Sequence, residues 1–221
     1  EALGKSINTV AVKLATEVGI ERIRAIAKDF GIRSSIAKGP AVALGASEVN
    51  LLELTAAYAG FLASGKRVNP IGWIDLRIRG DDEVLMSVDR SDGIQVIDDH
   101  AGAALLYMLR TVVEKGTGMR ARIPGWDLAG KTGTSQSLKD AWFIGFTSNL
   151  VIGVYVGMDN PKPLGKFETG SKAALPIFQG FIKKAIKKSE ARPFKVPSEI
   201  TMMVIDPLTG EKAKFSSKNM I

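Results

Sequence analysis

Apolar residues recur at helical spacing in four stretches of the chain and alternate with polar ones in others. From Ser6 to Phe30 the recurring positions are Val10, Leu14 and Val18, then Ile23, Ile26 and Phe30, with Gly19 and Gly31 as punctuation. Ser47 stands as the N-cap of a helix from Glu48 to Ser64 that carries Leu51, Leu54, Tyr58 and Leu62, and Gly65 closes it. A third helix runs from Asp98 to Lys115 with Ala101, Leu105, Met108 and Val112 on its face; Asp98 and Asp99 favour its positive end and Gly116-Thr117-Gly118 stops it. A fourth, Ala173–Lys188, sets Ile177, Phe181 and Ile186 against Lys183, Lys184, Lys187 and Lys188.

Strand patterns fall between these helices. Ile74, Leu76 and Ile78 alternate with Asp75, Arg77 and Arg79; Gly80-Asp81-Asp82 turns the chain, and Val84, Met86 and Val88 alternate again, as in a hairpin. The apolar run from Ala141 to Met158 is long enough to suggest a membrane span, but Thr147-Ser148-Asn149 at its centre makes it a hairpin of Ala141–Phe146 and Leu150–Met158. Trp126–Thr134 has room for one short strand. Glu190–Pro197 reads as a linker, and Ile200–Ile205 with Pro207-Leu208-Thr209-Gly210 as a last hairpin. Helices and hairpins without βαβ alternation indicate an α+β fold, helices packed on an antiparallel sheet.

Composition narrows the chemistry. The 221 residues are 45% apolar, enough for a sizeable core. The absence of cysteine removes disulfides, thiolate metal sites and cysteine nucleophiles. The single histidine, His100, excludes a multi-histidine metal site; following two aspartates at a helix start, it reads as an exposed residue of the capping region. No metal or cofactor is called for. The net charge of +7 is scattered, and the one lysine cluster has no interleaved aromatics, so it reads as a solvated helix face and not a nucleic-acid surface.

Lys131 belongs to two patterns. Gly125-Trp126-Asp127-Leu128-Ala129-Gly130-Lys131-Thr132 matches the phosphate loop G-x-x-x-x-G-K-[ST] letter for letter. Such a loop needs a buried strand before it and a helix N-terminus after it, so that N–H groups point at the anion. Here Met119–Pro124 is no buried strand, Gly133 follows at once, and Trp126 and Leu128 are bulky where the backbone must close on phosphate. The second pattern is Lys131-Thr132-Gly133-Thr134, the K-T-G of serine β-lactamases and penicillin-binding proteins, accompanied far upstream by Ser6-Ile7-Asn8.

These stretches resemble the transpeptidase domain of bifunctional (class A) penicillin-binding proteins. The resemblance rests on Lys5-Ser6-Ile7-Asn8, Ala43-Leu44-Gly45-Ala46, Leu52–Ala59, Gly116-Thr117-Gly118, Ala129–Gln136, Asp140–Thr147, and Ile205-Asp206-Pro207 with Thr209-Gly210. It implies a peptidoglycan D,D-transpeptidase that takes cell-wall stem peptides and β-lactams. Residues 1–190 would be the C-terminal part of that domain, and 191–221 an extension with a β-hairpin. In this reading Ser6 relays a proton to the leaving amine, Asn8 binds a substrate carbonyl, and Lys131 supplies a fixed charge. Thr132 and Thr134 hold a terminal carboxylate through their hydroxyls, the Thr134 N–H is one of two oxyanion donors, and Gly133 avoids a collision on the strand.

The family's nucleophile comes from an S-x-x-K one helical turn long, expected before Ser6 and so supplied by a more N-terminal part of the same protein. Ser35-Ile36-Ala37-Lys38 has the letters but follows Ser6, beside Gly39-Pro40, where a helix to align the two side chains is not expected. With the early strands and nucleophile helix lacking, the hairpin Ala141–Met158 is expected to expose apolar surface. The resemblance also places the parent protein outside the cytoplasmic membrane with an anchor upstream. A β-lactamase, a non-catalytic module and the nucleotide-binding reading are the alternatives.

Overall fold

The first apolar stretch is broken at Gly19. Its φ of 93° is open to glycine and strained for other residues, so α2 (Asn8–Val18) and α3 (Ile20–Asp29) are separate helices, preceded by one turn, α1 (Ala2–Lys5). The computed structural model describes residues 1–80, 82–89, 93–201, 203–206 and 209–212. α4 (Leu51–Leu62) starts later than the sequence suggests because Asn50, not Ser47, caps it: Asn50 Oδ1 accepts from the Leu52 N–H at 2.8 Å. Ser47 Oγ accepts instead from the Ala37 N–H, pinning the loop before it. α5 (Asp99–Lys115) begins as expected, with Asp98 Oδ1 accepting from the His100 N–H. The His100 ring also meets Glu199, whose hydrogen bond, with the charge of Asp99, raises the imidazole pKa.

Among the described residues two antiparallel sheets form. β1 (Asp75–Arg77) pairs with β2 (Val84–Ser87), and β3 (Ala129–Thr134), β4 (Ala141–Phe146) and β5 (Val151–Val156) follow one another in order. Thr147-Ser148-Asn149 makes the β4–β5 turn, closed by Thr147 N–H donating to the Leu150 carbonyl. Among the described residues no helix is long and apolar enough to cross a membrane. Asp81, in the first turn, and Pro207 and Leu208 of the last hairpin lie outside the described residues; of that hairpin an Ile205–Lys212 bridge is seen.

Each face of the β3–β4–β5 sheet packs its own core. Adjacent strand residues point to opposite faces. Phe143 therefore joins Ala141, Val154, Leu175, Phe178 and Ile182 of one cluster, while Ile144 and Phe146 join Leu106, Leu109, Ala129 and Phe194 of the other. α6 (Leu175–Ala185) covers the first face and α4 and α5 the second. Glycines admit the helices closely: a Cβ at Gly145 would lie 2.4 Å from the Phe178 ring, and one at Gly153 2.0 Å from Thr55 Oγ1.

Four sequence expectations change in whole or in part. α5 buries Gly102, Ala103, Leu106, Leu109 and Val113 together with the expected Val112, and Leu105 packs on the same core partly buried, while Ala101 and Met108 are exposed. α6 buries Leu175, Phe178 and Ile182, leaving Ile177 and Phe181 exposed. Strand β4 of the hairpin is almost wholly buried, and the apolar surface that the hairpin exposes is at Tyr155 and Met158; further exposed apolar side chains lie on α2, at Val10, Leu14 and Val18, and on β1 and β2. The expected linker is also anchored. Phe194 is 4% exposed, and its N–H donates to Asp127 Oδ2 at 3.1 Å.

Candidate active site

β3 presents Lys131-Thr132-Gly133-Thr134. Strand alternation puts Lys131 on the face of its partner Ile144, and Thr132 and Thr134 on the opposite face with Phe143 and Ala141. Lys131 Nζ donates to Ser6 Oγ at 2.9 Å and to its neighbour's carbonyl, Thr132 O, at 2.8 Å. Two residues 125 positions apart in sequence are thereby joined. Burial pushes the Lys131 ammonium below the ordinary lysine range, because the charged form loses water.

Ser6 owes its position to the backbone. It ends α1 in the left-handed region, φ 53° and ψ 51°, so the chain turns sharply before α2 begins at Asn8. A non-glycine residue held there stores about 1–3 kcal/mol of strain. The S-x-N letters thus span the joint between two helices, with Ser6 and Asn8 both exposed. Thr134 is also exposed, and its Oγ1 accepts from the Gly170 N–H at 3.0 Å, leaving its own proton free to donate. Gly133 lies opposite Trp142, where a Cβ would sit 3.1 Å from the Trp142 Cβ.

The connection from β3 to β4 is closed around Asp140. Its N–H donates to Ser135 Oγ, its carbonyl accepts from the Ser135 N–H, and its carboxylate accepts from the Tyr155 hydroxyl at 2.9 Å. That last bond raises the Tyr155 pKa. Asp140 thus ties the end of β3 to β5.

Two features of the site are weak or absent in the sequence pattern. Thr117, which reads as part of a helix stop, has its Oγ1 2.7 Å from Thr132 Oγ1. Gly170 begins a π-helical turn, Gly170–Ala174, pressed against the sheet: a Cβ there would lie 2.3 Å from Gly133 O and 2.4 Å from Trp142 O. Neither backbone oxygen can yield without disturbing the β3–β4 ladder. Gly170→Ala is therefore expected to destabilise the protein by about 1–3 kcal/mol, the usual cost of overpacking, as a lowered urea midpoint.

The competing patterns do not find their structural contexts. Lys131 lies inside strand β3, with no helix opening after Thr132, so the phosphate-loop letters form no helix-terminal anion site. Ser35–Lys38 is loop, and no helical turn aligns Ser35 with Lys38.

The sequence model described as the penicillin binding protein transpeptidase domain matches residues 1–183. Penicillin-binding protein 1A of Rickettsia prowazekii (strain Madrid E) is 38% identical over 228 residues, covering 94% of this chain and 29% of that protein. The protein of the same name from Aquifex aeolicus (strain VF5) is 37% identical over 206 residues, covering 93% and 28%. The chain thus spans less than a third of the length of these relatives. The crystal structure of penicillin-binding protein 1A from Haemophilus influenzae superposes with a TM-score of 0.83 at 27% identity, over 96% of this chain and 38% of that one. Family match, relatives and fold agree, and the chain belongs to the penicillin-binding protein transpeptidase domain family.

Proposed function

We propose that this chain is the later part of a serine-type peptidoglycan D,D-transpeptidase whose substrates are stem peptides ending in D-alanyl-D-alanine and whose inhibitors are β-lactams. The observation that carries the reading is the Lys131 Nζ–Ser6 Oγ hydrogen bond of 2.9 Å.

The reaction is acyl transfer. A serine oxygen attacks the carbonyl between the two D-alanines, the C–N bond breaks, and terminal D-alanine leaves with a proton on its nitrogen. Ser6 delivers that proton, and Lys131, hydrogen-bonded to its oxygen, stabilises the charge that appears there. The lowered Lys131 pKa eases this exchange by bringing ammonium and amine closer in energy. Thr132 and Thr134 donate to the substrate carboxylate, Asn8 donates to a backbone carbonyl of the peptide, and the Thr134 N–H supports the oxyanion. An amine of a second stem peptide then attacks the ester and regenerates the serine. The nucleophile, its lysine and the other oxyanion donor come from an S-x-x-K segment N-terminal to Ser6 in the same protein. The site works outside the cytoplasmic membrane, facing the wall, and the anchor is upstream.

Fluorescent penicillin tests the reading. The full-length protein is expected to form a covalent adduct that turns over slowly, and residues 1–221 alone are expected to form none. Labelling of the isolated chain at Ser35, or rapid hydrolysis of the penicillin, would count against it.

A further inference from the structure

The contact between Thr117 and Thr132 is locked from both sides. Thr117 follows α5 in a turn with little room to move: its N–H donates to the Gly4 carbonyl at 3.1 Å, and the next N–H, of Gly118, donates to the Val112 carbonyl at 3.0 Å. A Cβ at Gly116 would lie 2.0 Å from Gly4 O, so the turn approaches α1 as closely as a backbone can. Val112 is fully buried. From this fixed turn the Thr117 hydroxyl reaches the Thr132 hydroxyl at 2.7 Å, at the surface. Thr132 itself is held by the β3–β4 ladder opposite Phe143.

Two hydroxyls so paired have a defined use. A hydroxyl carries one proton and two lone pairs. If Thr117 donates to Thr132, the Thr132 proton is left to point away from the pair, and an anion accepting that proton strengthens the whole chain of bonds. The same turn bears on Ser6, because the Gly4 carbonyl that Thr117 holds belongs to α1, which ends at Ser6.

We propose that Thr117 is a positioning residue for carboxylate recognition: it donates to Thr132 Oγ1, aims the Thr132 proton at the carboxylate of the incoming peptide or β-lactam, and holds α1 through Gly4. The inference deepens the acyl-transfer reading and rests on it. It assigns two separable functions to one residue, the backbone N–H tying the turn to α1 and the hydroxyl serving the ligand.

Thr117→Val keeps the backbone bond and the shape while removing the hydroxyl, and Thr117→Ser restores the hydroxyl. The measurement is the second-order rate of acylation of the full-length protein by a penicillin and by the same penicillin with its carboxylate esterified. For the free carboxylate, Thr117→Val is expected to slow acylation about tenfold, the scale of one hydrogen bond in a chain ending on a charge. For the ester it is expected to change the rate less than twofold, and Thr117→Ser is expected to recover most of the loss. Equal slowing with both ligands, or no slowing with either, overturns the proposal. Absence of any adduct in the unmodified protein overturns the acyl-transfer reading and the proposal with it. An adduct in the unmodified protein together with an unaffected Thr117→Val variant overturns the proposal alone.

Discussion

Lys131→Met is expected to slow acylation of the full-length protein by a fluorescent penicillin about 10²–10⁴-fold, the range over which a positioned proton-transfer group acts. The substitution removes the one side chain that binds Ser6 Oγ from β3, and with it the positive charge beside the proton path. Methionine fills a similar volume without a charge to desolvate, so the variant is expected to keep its urea midpoint. A fall in rate without a fall in stability then isolates the chemistry. Unchanged acylation would remove Lys131 from the mechanism.

The lowered Lys131 pKa gives this prediction a pH signature. Below that lowered value Lys131 is charged in folded and unfolded states alike, and the folded state bears the full cost of desolvation. Between it and the ordinary lysine value the unfolded chain holds more protons than the folded one, so this group's contribution to stability rises with pH across that window. Acylation should do the opposite there, falling as the ammonium that favours an anionic ligand is lost. In Lys131→Arg, where the guanidinium stays charged, the alkaline limb of the rate profile is expected to move to higher pH. An alkaline limb that stays in place would assign it to another group.

The second large effect is on folding. Phe194→Ala is expected to destabilise the protein by about 3–5 kcal/mol, read as a lower urea midpoint with an unchanged slope. Phe194 lies among Leu106, Leu109, Ala129, Ile144 and Phe146, so truncation leaves a cavity between α5 and the sheet. The site should feel it as well. Ala129, in that cluster, is on the strand that carries Lys131, and Asp127 just before it holds the Phe194 N–H and lies 2.8 Å from the Arg110 guanidinium. Phe194 lies beyond the residues matched by the family, 1–183, yet belongs to the core on which β3 rests. A midpoint unmoved by the substitution would show that this contact carries no stability.

Local patterns carried much of this architecture. The alternation around Gly80 and around Thr147-Ser148-Asn149 is legible because strand period and turn chemistry are short-range properties, and both hairpins form where those signals lie. The α4 stripe of Leu51, Leu54, Tyr58 and Leu62 does pack on the sheet. The stripes of α5 and α6 were legible in part, at Leu105, Val112 and Ile186. Each helix carries two apolar stripes about one residue apart, and helical period cannot choose between them. The choice lies in the partner surface: Gly145 leaves the hole that receives Phe178, which turns Ile177 and Phe181 outward.

The site divides in the same way. Ser6, Asn8, Lys131, Thr132, Gly133 and Thr134 are visible as motifs because the proposed chemistry demands those residue types at those local spacings. What no local spacing contains is the distance between motifs. Lys131 reaches Ser6 because α1 and β3 meet across the fold and Ser6 adopts a left-handed backbone; Thr117 meets Thr132 because a turn after α5 is drawn onto Gly4; and Gly170 seats on Thr134 because two glycine-sized gaps coincide. The residue types of the proposed acyl-transfer site and the α+β class were written in one dimension. Their assembly into one site waited on long-range packing, whose energy comes from surfaces that only the folded chain brings together.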